Sequence, residues 1–235
     1  LCKDAAAQES DKALQFFSTA TKELEKNKIS VLEISDFNTR GMKGPSENGT
    51  AFYAFMKAKG QSRKASSTAT GSFGIGKFAP YAVSKLRTVF VSTVYTDEAG
   101  KFNQLTQGKS ILMSHDKGFK RLQGAGFWGA KKKCQPVAGV HDDLPDWLLR
   151  CTDENKLSES TGTKLIILGF DTSQGWKENL AVSVAENFFG AISAGKLEVD
   201  IIKDYVLNSE SIKGFFTNSI LREAKKKKKN EPEQF

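Results

Sequence analysis

The sequence contains few cysteines and histidines, few prolines and no long apolar run. Its three cysteines are Cys2, Cys134 and Cys151, in 235 residues that also include two histidines and five prolines. An odd number of cysteines without CxxC spacing supports neither a disulfide framework nor a zinc site, so we expect free thiols in a reducing cytoplasm. No apolar run approaches the roughly 20 residues of a membrane-spanning helix, and no basic-then-apolar leader opens the chain. We therefore expect a cytoplasmic protein with no membrane partner.

The composition is that of a folded domain with a basic surplus. Apolar residues make up 39% and charged residues 26%, and the formal net charge is +8. This balance excludes global disorder, and the length fits one large domain or a domain with an appendage. Lysines cluster at Lys131–Lys133 and Lys225–Lys229. These runs are either a solvated loop and tail or contacts to the phosphates of DNA.

The hydrophobic pattern predicts helices and a strand in the first part of the chain and mostly antiparallel strands after residue 86. The predicted helices cover 3–28, 51–59, 79–84, 180–192 and 209–229. The predicted strands cover 31–34, 87–96, 102–113, 163–170 and 197–202, with a hairpin turn at 97–100. Residues 114–160 have no clear pattern, and within them Gln123–Gly129 is interpreted as a tight turn between strands, with a functional loop as the alternative.

This order of elements predicts an α+β fold, with helices packed on one face of a mixed, mostly antiparallel sheet. It does not alternate strand and helix regularly, as a doubly wound nucleotide-binding fold does. We place a first domain at residues 1–171 and a C-terminal helix-strand-helix extension with a basic tail at residues 172–235.

The first chemical feature is an aspartate at the end of a predicted strand. Asp36 follows Val31–Ile34, and a turn containing Asn38 and Gly41 comes next. Both residue types tolerate a positive φ. A carboxylate at a strand end can accept a hydrogen bond from an exocyclic amine such as that of adenine. The alternative is an aspartate that only caps a turn.

The second feature is a glycine-rich loop that leads towards a helix. It reads Gly71-Ser72-Phe73-Gly74-Ile75-Gly76-Lys77. Successive amides in such a loop can form an anion nest, the following helix adds partial positive charge, and Lys77 adds a point charge suited to phosphate. A flexible hinge is the alternative, because neither the Walker spacing nor a preceding strand is present.

The third feature is the pair Gly162-Thr163, which opens a strongly apolar strand. The hydroxyl group of Thr163 is placed to reach the edge of an adenine or a bridging water. Taken alone, this pair has little specificity.

Together and in this order, the three features resemble the nucleotide-binding domain of the GHKL ATPase superfamily. Its members include DNA gyrase B, the MutL mismatch-repair proteins, the ninety-kilodalton heat-shock chaperones and the sensor histidine kinases. The resemblance spans residues 31–170 and implies a two-layer α/β sandwich of the Bergerat type. It also implies that ATP is the ligand, with Mg²⁺ as cofactor, and that residues 43–73 form a mobile lid.

The family's motifs carry over to this sequence residue by residue. By resemblance, Asp36 binds the adenine amine and Thr163 supports Asp36. The residues implied to line the base or the phosphates are Asn38, Gly41, Met42, Gly71, Ser72, Phe73, Gly74, Ile75, Gly76 and Lys77.

The sequence departs from the family pattern in two places. Asn38 stands where the first glycine of the aspartate box is expected, and Gly41 comes one residue late. The family's first box supplies a catalytic glutamate and a magnesium-binding asparagine, but the nearest match here is Asp4-x-x-x-Gln8-x-x-Asp11. Asp4 and Gln8 are therefore weak candidates for the catalytic and metal-binding residues. Because the chain begins at Leu1 without a methionine, we expect the true box upstream of it.

The expected function is an ATP-dependent conformational switch. ATP orders the lid, a protein partner or a second copy of the chain reads the closed state, and hydrolysis reopens it. The family association and the basic surplus favour a DNA-linked or bacterial defence system. Two alternatives remain: a catalytically inactive nucleotide sensor or scaffold, and a basic nucleic-acid-binding domain without a nucleotide pocket.

Overall fold

Residues 11–58, 76–117, 119–173 and 175–217 are described by a computed structural model of the chain. The chain divides into two units, Leu1–Asp171 and Thr172–Phe235. Each unit has a hydrophobic cluster of its own.

The described part of the first unit contains three α-helices at predicted positions. They are α1 (Asp11–Leu24), α2 (Ala51–Met56) and α3 (Ala79–Ala82). Helix α2 begins where the Thr50 hydroxyl accepts a hydrogen bond from the N–H of Tyr53, 3.2 Å away, which satisfies one of the free amides of the first turn. Pro80 lies in the first turn of α3, where its missing N–H costs nothing. Helix α1 ends four residues earlier than predicted, and the predicted residues 3–10 lie outside the described part of the chain.

Eight β-strands lie in the described ranges of the same unit. They are β1 (Val31–Ser35), β2 (Ser84–Thr96), β3 (Phe102–Ile111), β4 (His115–Lys117), β5 (Lys120–Leu122), β6 (Ala125–Trp128), β7 (Val137–Ala138) and β8 (Gly162–Phe170). The main sheet has the order β1-β8-β2-β3-β6, with β7 also paired to β3, and all of these pairs are antiparallel. Strands β4 and β5 form a separate hairpin. The first unit therefore has an α+β fold with an antiparallel sheet.

The turn between β2 and β3 is held by one side chain. The carboxylate of Asp97 accepts hydrogen bonds from the N–H groups of Ala99 (3.0 Å) and Lys101 (2.9 Å) and from the side-chain amide of Asn103 (2.8 Å). These bonds favour the charged form and hold the pKa of Asp97 below its ordinary value. The predicted hairpin is confirmed, with Thr96 opposite Phe102.

The two short helices α2 and α3 pack on one face of the sheet. Phe52 and Met56 from α2 and Tyr81 from α3 form a cluster with side chains of β2, β3 and β8. The sheet residues of this cluster are Val89, Val91, Tyr95, Leu105 and Ile167. Phe52 is fully buried, and loss of such a ring costs about 3–5 kcal/mol. This cluster supports the segment that contains Asp36 and Met42, because Met42 packs against it.

The opposite face of the sheet is covered by irregular chain. The N–H of Cys151 donates to Oε1 of Gln104 on β3 (2.8 Å), and Nε2 of Gln104 donates back to the carbonyl of Cys151 (2.9 Å). Leu148 and Leu149 are buried beside this contact. The face that the helices leave uncovered is thus closed by the segment around residues 148–151.

Residues 114–160 contain more regular structure than the sequence predicted. The interpretation of Gln123–Gly129 as a tight turn was wrong, because Ala125–Trp128 is the edge strand β6 and pairs with β3. The three glycines of Gln123–Gly129 masked the strand pattern, although Phe127 and Trp128 suit a strand. The β4–β5 hairpin and β7 were also not predicted.

The second unit consists of a helix and a hairpin. Helix α4 (Trp176–Ser193) is longer at its start than predicted, and strands β9 (Val199–Ile201) and β10 (Tyr205–Leu207) follow. The second of these strands was not predicted. Buried residues of this unit are Ala181, Ala185, Ile192, Ile201, Leu207 and Ile212. Of the helix predicted at 209–229, residues 209–211 form a turn and 212–217 are helical, whereas 218–229, including the Lys225–Lys229 run, lie outside the described residues.

Within the described ranges, no helix combines the length and the apolar character needed to cross a membrane.

Candidate functional site

Asp36 lies where β1 stops pairing with β8. Its N–H donates to the carbonyl of Thr163 (3.0 Å), and the N–H of Thr163 donates to Oδ1 of Asp36 (2.5 Å). The hydroxyl of Thr39 donates to the same oxygen at 3.0 Å. None of the described residues donates to Oδ2 of Asp36. The hydrogen bonds to Oδ1 therefore orient the carboxylate, and Oδ2 can accept a hydrogen bond from a further donor.

The turn after Asp36 has the backbone conformation that its residue types allow. Asn38 has a φ of 57° and Gly41 a φ of 64°, both in the left-handed region. Asn38 thus takes a conformation otherwise typical of glycine. A Cβ on Gly41 would lie 2.2 Å from the carbonyl oxygen of Val94 and 2.9 Å from Oγ1 of Thr93. No larger residue fits at position 41 without displacing β2.

Thr93 holds the residues around Asp36 together. Its side chain is fully buried, and its hydroxyl oxygen accepts a hydrogen bond from the N–H of Met42 at 2.8 Å. The same hydroxyl lies 3.1 Å from the carbonyl of Gly162 and 3.2 Å from Oγ1 of Thr163. A threonine hydroxyl can accept and donate at once, so this one links the aspartate turn to the start of β8.

Thr163 contacts Asp36 through its backbone. Its hydroxyl, which the sequence placed near an adenine edge, lies against Thr93. Gly162, directly before it, has a φ of 134°, and a Cβ there would lie 2.5 Å from Oδ1 of Asp36. The glycine therefore allows the carboxylate to approach the start of β8.

Arg150 was not singled out in the sequence, because it lies in the segment without a clear pattern. Its guanidinium donates to the carbonyls of Asp36 (2.6 Å) and Ser160 (3.1 Å) and stacks 4.4 Å from the centre of the Phe37 ring. Burial lowers the pKa of Arg150, whereas the nearby charges, Asp36 first among them, raise it. The site thus includes a cation that directly contacts the aspartate turn.

The glycine-rich loop is described only at its end. Gly76 and Lys77 lie in a 3₁₀ turn, Gly76–Phe78, that leads into α3. Nζ of Lys77 donates to the carbonyls of Ala54 (3.0 Å) and Ala58, at the C-terminal end of α2. A cation suits this position, because carbonyls at a helix C-terminus carry partial negative charge. Partial burial lowers the pKa of Lys77.

Several predicted site residues lie outside the described chain. They are Asp4, Gln8, Gly71, Ser72, Phe73, Gly74 and Ile75. Of the predicted lid, residues 43–58 are described and 59–73 are not. The structure brings Asp36, Gly41, Met42 and Thr163 together, through Thr93 and through their own backbone contacts.

The lysine run Lys131–Lys133 is exposed. Lys133 and the exposed Cys134 both have a positive φ, and Nζ of Lys57 lies 3.5 Å from the carbonyl of Lys133. Four lysines are therefore grouped in this part of the first unit.

In the part of the chain that the structure describes, no cluster of three or more histidine, cysteine, aspartate or glutamate side chains could hold a metal ion. Comparison with protein-family models, with curated proteins and with solved structures finds no match.

Proposed function

We propose that this chain is an ATP-binding module of the GHKL type, in which closure of a lid over ATP acts as a conformational switch. The observation that carries the proposal is the pair of hydrogen bonds between Asp36 and Thr163, which leaves Oδ2 of Asp36 for another donor. The exocyclic amine of adenine is such a donor. An aspartate that only caps a turn needs no partner strand, whereas this one is held by β8.

The fold is consistent with the proposal. Strands β1, β8 and β2 lie side by side. The aspartate turn, the Gly162-Thr163 pair and Thr93 therefore meet near the same end of these three strands. Helices α2 and α3 lie on one face of this sheet, as expected for the two-layer α/β sandwich of the Bergerat type that we propose here. Gly41 allows the backbone to approach β2 closely, because a Cβ there would lie 2.2 Å from the carbonyl oxygen of Val94.

The phosphates would be bound by the glycine-rich loop that ends at Gly76. Among the described residues, a Cβ on Gly76 would meet no atom within 4 Å. The ammonium of Lys77 donates to the carbonyls of Ala54 and Ala58, so it would have to leave them to bind a phosphate.

Of the lid predicted at residues 43–73, helix α2 belongs to the core, because Phe52 and Met56 are fully buried, and it does not move as a lid. In this proposal the remainder of that segment closes over the nucleotide, and a protein partner or a second copy of the chain binds the closed state.

Magnesium would bind together with the phosphates and neutralise part of their charge. Asp4 and Gln8 are the chain's candidates for the catalytic and metal-binding positions. Asp36 and the residues around it would act at the other end of the nucleotide, where they bind and orient the base. We therefore propose nucleotide binding as the primary activity. ATP hydrolysis would depend on the family's first box. The proposed setting is a DNA-linked or bacterial defence system.

A calorimetric titration of the chain with ATP and ADP in the presence of Mg²⁺ tests the proposal. We expect saturable binding of one nucleotide per chain. Binding without phosphate release would identify a nucleotide sensor or scaffold. Absence of binding to both nucleotides would contradict the proposal.

A second candidate function is favoured by the exposed lysines Lys131–Lys133 beside Lys57. In this alternative, the chain binds the phosphate backbone of DNA and has no nucleotide pocket. Backbone binding releases counterions, so its affinity should fall steeply with salt, whereas ATP affinity should fall much less. Titration of a single-stranded and a double-stranded DNA at two salt concentrations separates the two candidates.

A further inference from the structure

The side chain of Arg150 bonds to both parts of the proposed adenine pocket. Nη2 donates to the carbonyl of Asp36 at 2.6 Å and to that of Thr161 at 3.4 Å. Nε donates to the carbonyl of Ser160 at 3.1 Å. One guanidinium therefore joins the turn after β1 to the residues that lead into β8. Its fixed fork of donors suits this task, because a guanidinium can serve several carbonyls in one plane.

The backbone of Arg150 is anchored on the face of the sheet opposite helices α2 and α3. Its N–H donates to Oγ of Ser92 at 2.8 Å, and Ser92 is fully buried on β2. Its neighbours Leu149 and Cys151 are buried as well. The side chain thus extends from an anchored backbone, so its position relative to Asp36 is fixed by packing.

The contacts around Gly162 are close. A Cβ on Gly162 would lie 2.5 Å from Oδ1 of Asp36 and 3.0 Å from Nη2 of Arg150. The guanidinium and the carboxylate group therefore flank the same glycine. Phe37 covers the guanidinium at 4.4 Å and is itself 69% exposed, so a ring at the surface shields the cation from water.

We propose that Arg150 is a positioning residue of the nucleotide site. It holds the backbone of Asp36 against residues 160–161, and thereby directs the carboxylate towards the exocyclic amine of adenine. This inference rests on the proposed ATP-binding function. It assigns Arg150 no contact with the nucleotide, and its effect should be confined to recognition of the amine.

The test compares ATP with purine riboside triphosphate, which lacks the exocyclic amine but has the same sugar and phosphates. We expect the unmodified chain to bind ATP about tenfold more tightly than the analogue, as one hydrogen bond to a carboxylate provides. Asp36→Asn serves as the reference that removes this preference. We expect Arg150→Ala to lower the ratio of the affinity for ATP to that for the analogue towards one. The affinity for ATP should fall more than the affinity for the analogue.

Arg150→Lys and Arg150→Gln keep the assay informative if the alanine variant does not fold. An ammonium carries its three donors on one atom and lacks the planar fork of the guanidinium, so it does not reproduce the geometry of the three bonds, and we expect Arg150→Lys to recover only part of the ratio. Arg121→Ala, at an exposed arginine of β5, is the matched control and should leave both affinities unchanged. Thermal unfolding of each variant establishes that it is folded.

The outcomes separate this inference from the proposed function. An unchanged ratio in the folded Arg150 variants, or an equal loss of both affinities, overturns the positioning role while ATP binding stands. If the unmodified chain binds neither nucleotide, the proposed function fails, and the inference fails with it. If it binds both equally, the assignment of Asp36 to the amine is wrong and Arg150 has no such role.

Discussion

The N–H of Met42 and the hydroxyl of Thr93 are joined by a hydrogen bond of 2.8 Å that ties the aspartate turn to the central strand β2. Because Thr93 is fully buried, no water can replace its hydroxyl without rearrangement of the sheet. The position of Met42 beside the proposed base therefore depends on a residue that takes no part in ligand contacts.

Replacement of Thr93 by valine should destabilise the first unit and weaken ATP binding. The change keeps the shape of the side chain but leaves the N–H of Met42 without its acceptor, which costs about 1–3 kcal/mol. Chemical denaturation measures this loss. Thr96→Val, at the end of the same strand, is the control and should change stability little. Equal stabilities of the two variants would contradict the role given to Thr93.

Replacement of Gly41 by alanine should be far more damaging than the same change at Gly100. Both glycines have a positive φ, at 64° and 81°, so both variants pay about 1–2 kcal/mol for the conformation. Only the new Cβ at position 41 overlaps β2, since no atom lies within 4 Å of a Cβ at position 100. We expect a further loss of about 1–3 kcal/mol for Gly41→Ala. The midpoints of urea unfolding of the two variants measure the difference. Similar midpoints would show that the overlap with β2 is removed by small shifts that cost little stability.

Asp36→Asn should remove most ATP affinity without unfolding the chain. An asparagine oxygen can still accept from Thr163 and Thr39, so the turn is kept, but the charged acceptor for the adenine amine is lost. We expect a loss of more than about tenfold in affinity by calorimetry. DNA binding, if present, should barely change. Asp143→Asn, at an exposed position, is the control. Full ATP affinity in Asp36→Asn would refute the adenine assignment.

Asp97 should make the stability of the first unit depend on acid. Its pKa is depressed in the folded state, so its contribution is present above the ordinary value of 3.8 and is lost as the pH falls through the lower, folded value. Asp97→Asn removes this dependence. We expect the difference in melting temperature between about pH 6 and about pH 3 to be smaller in this variant than in the unmodified chain.

The control for that measurement is Asp142→Asn. Its carboxylate accepts no hydrogen bond in the described part of the chain, so its replacement should leave the difference in melting temperature unchanged. If Asp97→Asn also leaves that difference unchanged, the hydrogen bonds in the turn do not stabilise the fold through the charged form.

The sequence predicted those features that depend on neighbours along the chain. Asp36, Asn38 and Gly41 form a local turn, and their residue types alone indicate its backbone conformation. The β2–β3 hairpin was predicted for the same reason, because alternating apolar residues flank a short polar turn.

Thr93 and Arg150 could not be predicted, because their roles depend on pairing between distant segments. The bond from Arg150 to Asp36 joins residues 114 positions apart, and that between Thr93 and Gly162 joins residues 69 positions apart. In the sequence, Thr93 is one polar residue in a strand, and Arg150 is one charge in a stretch without periodicity. Only the register of β8 between β1 and β2 gives them partners.

Strand β2 carries Ser92 and Thr93 side by side, one facing Arg150 and the other facing Met42 and Gly162. Successive side chains of a strand point to opposite faces of the sheet. Insertion or deletion of one residue before this pair would therefore turn each of the two hydroxyls to the opposite face. Length changes in related chains should therefore accumulate in connections such as the β2–β3 turn and the segment between β3 and β6. The count of residues between the bulge near Thr88 and the end of β2 should stay fixed, even where the residues themselves are replaced.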